Sequence, residues 1–364
     1  ALGASAAAGA PRLVLRSPRA GSAALAGLRR RLAGAELPHL KILCGDQVYV
    51  DLPPLERIPA EEGRLRVFLA GKYLRNWAPS GSPLANGYGD LLRLGANILV
   101  GDDHEFWNNY PFASAHLPFT YRAGNRELLG ALGQAFFRAF QVDYDAGGGR
   151  RCHQRVTVGD PTDPTGAGHL EIFAIDGRYA RTKERAHHPE DLEALCAWLR
   201  GLRGPGALVL SQPLFEPPQS AIRRSVIDAG IVDFADYEPL ARALTAAPHD
   251  VLVLSGDIHC GRIAEARLGV SGRKIVEVVA SPISLIPGTK HYDAAAHPDF
   301  PPRPIRGAGR SAGAVNRLGP VRRDHVAMLE VSGGGGGGVD VIVRYLGADG
   351  APLPEFPPYA VTLR

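Results

Sequence analysis

Apolar residues in this chain gather in short runs that stop abruptly at polar, often acidic, residues. Leu40–Cys44 runs into Gly45-Asp46, and Ala96–Val100 into Gly101-Asp102-Asp103-His104-Glu105. Leu170–Ile175 runs into Asp176-Gly177-Arg178, Ala207–Leu210 into Ser211-Gln212-Pro213, and Val251–Leu254 into Ser255-Gly256-Asp257-Ile258-His259. Short apolar runs bounded by Gly or Pro predict buried strands. Helical spacing separates several of them, over Arg126–Phe140, Pro189–Arg200, Ile222–Ala229 and Glu238–Ala246. Asp191 and Glu193 stand in the first turn of the second of these, where acids complement the helix dipole. Strands alternating with helices predict an α/β architecture with much parallel pairing. In such sheets ligands bind beyond the carboxyl ends of the strands, where these acidic tails converge.

The two ends of the chain read differently. Lys274–Ala280, Ala327–Val331 and Val339–Tyr345 predict antiparallel strands, the last two joined by Ser332–Gly338, which ends in six glycines and is expected to be flexible. A Pro-, Gly- and Arg-rich stretch over 282–320 predicts a long loop region. Residues 1–37 form an atypical N-terminal segment; Leu25, Leu28 and Leu32 predict a surface helix over 21–34, and Leu13–Leu15 is a candidate strand. Residues 38–364 are expected to form one domain, with 325–364 supplying its C-terminal strands. The chain opens at Ala1 and its single Met is Met328, so upstream residues are expected to have been removed or truncated.

Composition narrows the class. With 364 residues, 45% hydrophobic and 21% charged, the chain is that of a soluble globular protein with a substantial core. Its 41 Lys+Arg against 37 Asp+Glu give a net charge of +4, which suits anionic ligands without marking a nucleic-acid binder. No apolar run approaches the roughly 18 residues of a membrane span. Cys44, Cys152, Cys196 and Cys260 form no CxxC pair, which argues against a zinc cage or disulfide scaffold and for buried small hydrophobes.

The chemistry concentrates in three segments: Gly45-Asp46-Gln47-Val48-Tyr49, Asp102-Asp103-His104-Glu105 followed by Asn108-Asn109, and Ser255-Gly256-Asp257-Ile258-His259. Singly, each is an ordinary turn. Together, at predicted strand ends, their carboxylates would repel one another unless a metal neutralises them. The set GDQVY, DDHEFWNN and SGDIH resembles the calcineurin-like metallophosphoesterases in their PhoD-like (alkaline phosphatase D) branch. IDGRYAR, LSQPLF and VVASPIS add to the likeness, which runs over about 38–345.

The resemblance implies a fold of two packed mixed β-sheets flanked by helices, a four-layer αββα sandwich. It implies two metal ions, iron (Fe3+) plus calcium, with Mg2+, Mn2+ or Zn2+ as alternatives. Asp46, Tyr49 and His259 are implied as ligands of the first metal, Asp46 as a bridge, and Asp103 and Asp257 as ligands of the second. His104 is implied as the catalytic proton donor, with Asp102 or Glu105 orienting its ring. Asn108, Asn109 and Arg178 are candidate substrate-binding residues; for Arg178 a structural ion pair is an equal alternative. An oxygen-rich second site favours Ca2+, Mg2+ or Mn2+ over Zn2+.

The family's first metal motif has no counterpart in residues 1–37, which lack Cys, His and Asp. A further family His is also absent; Ser211-Gln212 stands in its place, with Gln212 at best a weak ligand. His187 and His188 are expected to be solvated, and His325 or the 290–292 segment to rim the site. The implied activity is hydrolysis of a phosphomonoester or phosphodiester, a small anionic substrate, by metal-activated hydroxide. The alternatives are a metal-dependent nuclease and a catalytically impaired relative that binds an anion or partner. A cytoplasmic location is favoured, with export if an upstream signal has been lost; the oligomeric state is open.

Overall fold

A computed structural model describes residues 12–16, 38–78, 88–143, 151–159, 169–219, 229–268, 272–280, 295–305, 311–347 and 349–364. The strands are β1 (Arg12–Arg16), β2 (Leu40–Cys44), β3 (Ala96–Val100), β4 (His153–Val158), β5 (Leu170–Ile175), β6 (Gly206–Val209), β7 (Val251–Ser255) and β8 (Gly261–Leu268). They continue as β9 (Arg273–Val279), β10 (Asp299–Phe300), β11 (Ser311–Ala312), β12 (Val315–Val321), β13 (His325–Gly333), β14 (Val339–Gly347) and β15 (Tyr359–Leu363). The helices are α1 (Glu62–Trp77), α2 (Tyr88–Leu92), α3 (Ala123–Phe140), α4 (Pro189–Arg200) and α5 (Tyr237–Thr245).

Two mixed sheets result. The first has the order β15-β14-β13-β1-β2-β3 and the second β12-β8-β9-β7-β6-β5-β4. Parallel pairing runs through β1, β2 and β3 in the first, and through β5, β6, β7 and β9 in the second. Side chains alternate across each strand. Ile42, Cys44, Ile98 and Val100 from the first sheet and Ile172, Ala174, Ala207, Val209, Leu252 and Leu254 from the second share one core between the sheets. The intervening residues face outward: Leu43 and Leu99 pack with Tyr88 and Leu91 of α2, while Phe173, Leu208, Val251 and Val253 pack with Leu195 and Leu199 of α4 and Leu240 and Leu244 of α5. The expected four-layer sandwich is therefore present. Each fully buried aliphatic side chain adds roughly 1.5–3 kcal/mol.

Several expectations need correction. Residues 315–321, read as loop, form β12, which pairs with β8 through two irregular steps. The candidate strand at Leu13–Leu15 is present as β1, an interior strand of the first sheet, parallel to β2 and antiparallel to β13. The helices expected over 21–34 and 222–228 lie outside the described residues. Helix α1 was not foreseen, although Leu65, Leu69 and Tyr73 bury one face and the Glu61 carboxylate accepts the Gly63 and Arg64 N–H groups at 2.8 and 2.9 Å as its N-cap. All four cysteines are buried. Among the described residues no helix is long and apolar enough to cross a membrane.

Candidate metal centre

The first two motifs are brought together by strand register. Cys44 of β2 lies opposite Val100 of β3, so the loops that follow them start side by side. Gly45 permits the contact: a Cβ there would lie 2.3 Å from the Cβ of Asp102, and its φ of +85° is open to glycine. The buried Glu105 carboxylate then clasps both loops. One oxygen accepts the N–H groups of Asp46 at 3.0 Å and Asp102 at 2.8 Å, and the other those of Gln47 at 2.5 Å and Val48 at 3.3 Å. Burial and the neighbouring Asp46 push the Glu105 carboxyl up, against the pull of these N–H donors. The third motif arrives from β7 of the other sheet.

Two groups of side chains have ligand atoms mutually within 4.8 Å: Asp46, Asp103 and His104, and Asp102, Asp103 and Asp257. Asp103 is common to both, where the resemblance assigns the bridge to Asp46. Tyr49 sits beside the first group, its hydroxyl donating to Asp46 Oδ2 at 2.9 Å and its ring stacked on His104 at 4.2 Å. His259 follows the same loop as Asp257 but belongs to neither group. Asn109 donates its backbone N–H to Asp103 Oδ2 at 2.6 Å. Asn108 directs its backbone N–H to Asp51 Oδ2 at 2.8 Å.

Backbone conformation marks the same residues. Asp46, Asn109, Asp257 and His259 have φ between 53° and 69°, and among the described non-glycine residues only Leu55 joins them in that region. Such conformations cost of order 1–3 kcal/mol each and persist where the surroundings over-determine them.

The electrostatics are those of crowded, buried acids. Burial lifts the Asp46 carboxyl to about 6, the nearby Asp102 adding to the rise and His104 opposing it. Burial, reinforced by Asp46, pushes the Tyr49 phenol well above its usual value. His104 is buried, which alone would lower its pKa, yet Asp51, Asp103 and Asp46 together hold it well above the ordinary imidazole value. Its Nδ1 lies 2.7 Å from Asp51 Oδ1, so Nε2 is the ring nitrogen left toward the carboxylates.

That contact corrects an expectation. Asp51, not Asp102 or Glu105, orients the His104 ring; Glu105 is engaged by backbone N–H groups, and Asp102 faces Arg178. The only sequence signal for Asp51 is an acid set between Val50 and Leu52, two residues past the first motif. Arg178 is fully buried, with Nε 2.5 Å from Asp102 Oδ1 and Nη1 donating to the Tyr110 carbonyl at 3.2 Å. The ion pair with Asp102, one of its two readings, is present in this placement. Gln212 is turned away from ligation: Arg181, a donor only, takes its Oε1 at 2.7 Å, so its amide NH2 faces Asp257 Oδ2 at 3.1 Å. His187 is buried, not solvated, because Asp236 accepts its backbone N–H at 2.7 Å and draws the loop inward. His325 is buried against Tyr345, at the start of β13.

The donor set fits divalent or trivalent ions. Asp46 Oδ1 and both side-chain amide atoms of Asn109 are buried without a hydrogen-bond partner among the described residues. Buried polar atoms are ordinarily satisfied, so these are the atoms a bound ion or its substrate would engage. Carboxylate oxygens dominate the Asp102, Asp103 and Asp257 group, as hard cations prefer.

One comparison with a solved structure bears on the fold. The chain is similar to a structure of PhoD with a TM-score of 0.57 and 12% identity over 98% of this chain and 72% of that one. It is also similar to a purple acid phosphatase isolated from yellow lupin (Lupinus luteus) seeds, with a TM-score of 0.48 and 8% identity over 96% of this chain and 53% of that one, a likeness too distant to bear on function. No protein-family model and no curated protein sequence matches the chain. The chain thus has a metallophosphoesterase fold.

Proposed function

We propose that this protein is a metal-dependent phosphoric ester hydrolase of the alkaline phosphatase D type. The observation that carries this reading is the pair of buried acidic groups sharing Asp103 beyond the strand ends of two sheets. Asp46 with Tyr49 and His259 would hold one metal ion, and Asp103 with Asp257 a second; iron and calcium suit a phenol-bearing and a carboxylate-rich site respectively. When bound, such ions supply Lewis-acid stabilisation of phosphoryl charge and an activated water.

The chain's own residues supply the rest. Asp51 holds the His104 imidazole in one orientation and favours its protonated form, leaving a proton at Nε2 for the departing ester oxygen. The buried clasp at Glu105 fixes the loops that carry Asp46, Asp103 and His104. Asn109, whose side-chain amide is buried and unsatisfied, is placed to donate to a phosphoryl oxygen.

An impaired, anion-binding protein is the second reading, because His259 stands outside both ligand groups and no first motif precedes β2. Protein reconstituted with iron and calcium, then with manganese or zinc, and assayed on chromogenic phosphomonoesters and phosphodiesters separates the two. Turnover that is lost in both Asp46→Ala and His259→Ala is expected. Tight metal binding without turnover on either ester would favour the impaired reading.

A further inference from the structure

Asp257 and Gln212 face two ways. They border the acidic centre, and they also line a cavity of about 410 Å³. Pro217, Pro218, Ile258, Ala295, Ala296 and Pro298 also line it. The walls are stapled together: the His297 N–H donates to the Phe215 carbonyl at 2.7 Å, the Ala296 N–H to Asn316 Oδ1 at 3.0 Å, and the Gln219 N–H to Asp233 Oδ1 at 2.6 Å. The cavity is therefore framed by hydrogen bonds between separate loops.

Its chemistry is selective. No Lys or Arg is among the described lining residues. The one lining acid outside the acidic centre, Glu216, is matched by the buried Arg262 at 2.7 Å. Arg181 stands behind Gln212 rather than in the cavity, its guanidinium over the Phe234 ring at 4.7 Å and bound to Gln212 Oε1. What faces the space among the described residues is mainly proline, alanine and isoleucine surface, with amide groups and the His297 imidazole. The apolar part of such a surface stabilises an uncharged organic group.

We infer that this cavity takes the uncharged organic group attached to the phosphoryl group of the substrate. The inference rests on the proposed phosphoester reading, since it places the phosphoryl group at the acidic centre beside Asp257. It goes beyond that reading by assigning a size and polarity to the group attached to phosphorus. The cavity volume lies in the usual range for small-molecule pockets, so a ring-sized group fits whole.

The test uses binding as well as turnover. Phenylphosphonate and methylphosphonate are titrated into the metal-loaded full chain by calorimetry, for the wild type and for Ala295→Trp. Ala295 is an exposed lining residue outside the metal centre, and its replacement fills the cavity; circular dichroism checks that the variant is folded. Phenylphosphonate is expected to bind about tenfold or more tighter than methylphosphonate, with that advantage lost in Ala295→Trp while methylphosphonate binding is unchanged. The ratio of kcat/KM for phenyl over methyl phosphate esters should fall in parallel. Equal affinities for the two phosphonates, or an unchanged preference in Ala295→Trp, would overturn the inference. Phosphonate discrimination without hydrolysis of any ester would leave the cavity assignment standing and refute the hydrolase reading alone.

Discussion

Replacing Glu105 by Gln changes shape very little and charge completely. Each Glu105 oxygen accepts two backbone N–H groups, Asp46 and Asp102 on one, Gln47 and Val48 on the other. A glutamine has one oxygen, so whichever way its amide is turned, two buried N–H donors meet an NH2 group instead of an acceptor. Leaving a buried donor unsatisfied costs about 1–3 kcal/mol, so the pair costs about 2–6 kcal/mol. Against a typical total stability of about 5–15 kcal/mol this is a large fraction. Guanidinium denaturation of wild type and Glu105→Gln should show that loss with an unchanged slope, and metal uptake should weaken because Asp46 and Asp102 are tethered through these bonds. A variant equal to wild type in both midpoint and metal content would refute the view that one carboxylate holds the two loops together.

Other consequences are as direct. Asp51→Asn leaves one oxygen for His104 Nδ1 and the Asn108 N–H together and removes the charge that favours the protonated ring; kcat should fall about 10–100-fold, part of what a positioned acid contributes, with metal content retained. Loss of metal together with activity would instead place His104 among the ligands. His325 provides a pH signature. Burial pushes its imidazole down to about 4, while the ring Nδ1 faces the Arg323 carbonyl at 2.6 Å. The unfolded chain, with a pKa of about 6.5, takes up the proton first, so stability is full above that value and falls as pH drops toward 4, by about 2 kcal/mol at pH 5. The difference in stability between pH 7.5 and pH 5 should shrink by that amount in His325→Asn; an unchanged difference would show that His325 does not titrate in this way.

The apolar runs located β2, β3, β5, β6 and β7 nearly residue by residue, because strands buried on both faces read as near-continuous apolar runs. The same runs placed the acidic loops at one end of the sheets. What the runs could not convey is which side chains meet. Arg178 and Asp102 are 76 residues apart and pair only because β3 and β5 deliver their loops to one place. Asp51 was hidden for a related reason: its role is visible only once the turn at Val50, whose N–H donates to the His104 carbonyl at 2.9 Å, folds it back on the imidazole. His187 misled in the other direction, since a polar, basic stretch reads as solvated until Asp236 on the start of α5 accepts its N–H. Strand β12 escaped notice because Pro and Gly interrupt its pattern and its residues are largely exposed.

The number of metal ions held per chain, measured by elemental analysis on wild type and on Asp103→Ala, bears most directly on the proposed centre. Asp103 is the side chain common to both ligand groups. Two ions per wild-type chain are expected, with both weakened by the single substitution. A wild-type chain that takes up no iron, calcium, manganese or zinc, or an Asp103→Ala chain that retains both ions undiminished, would contradict a dinuclear centre at these residues.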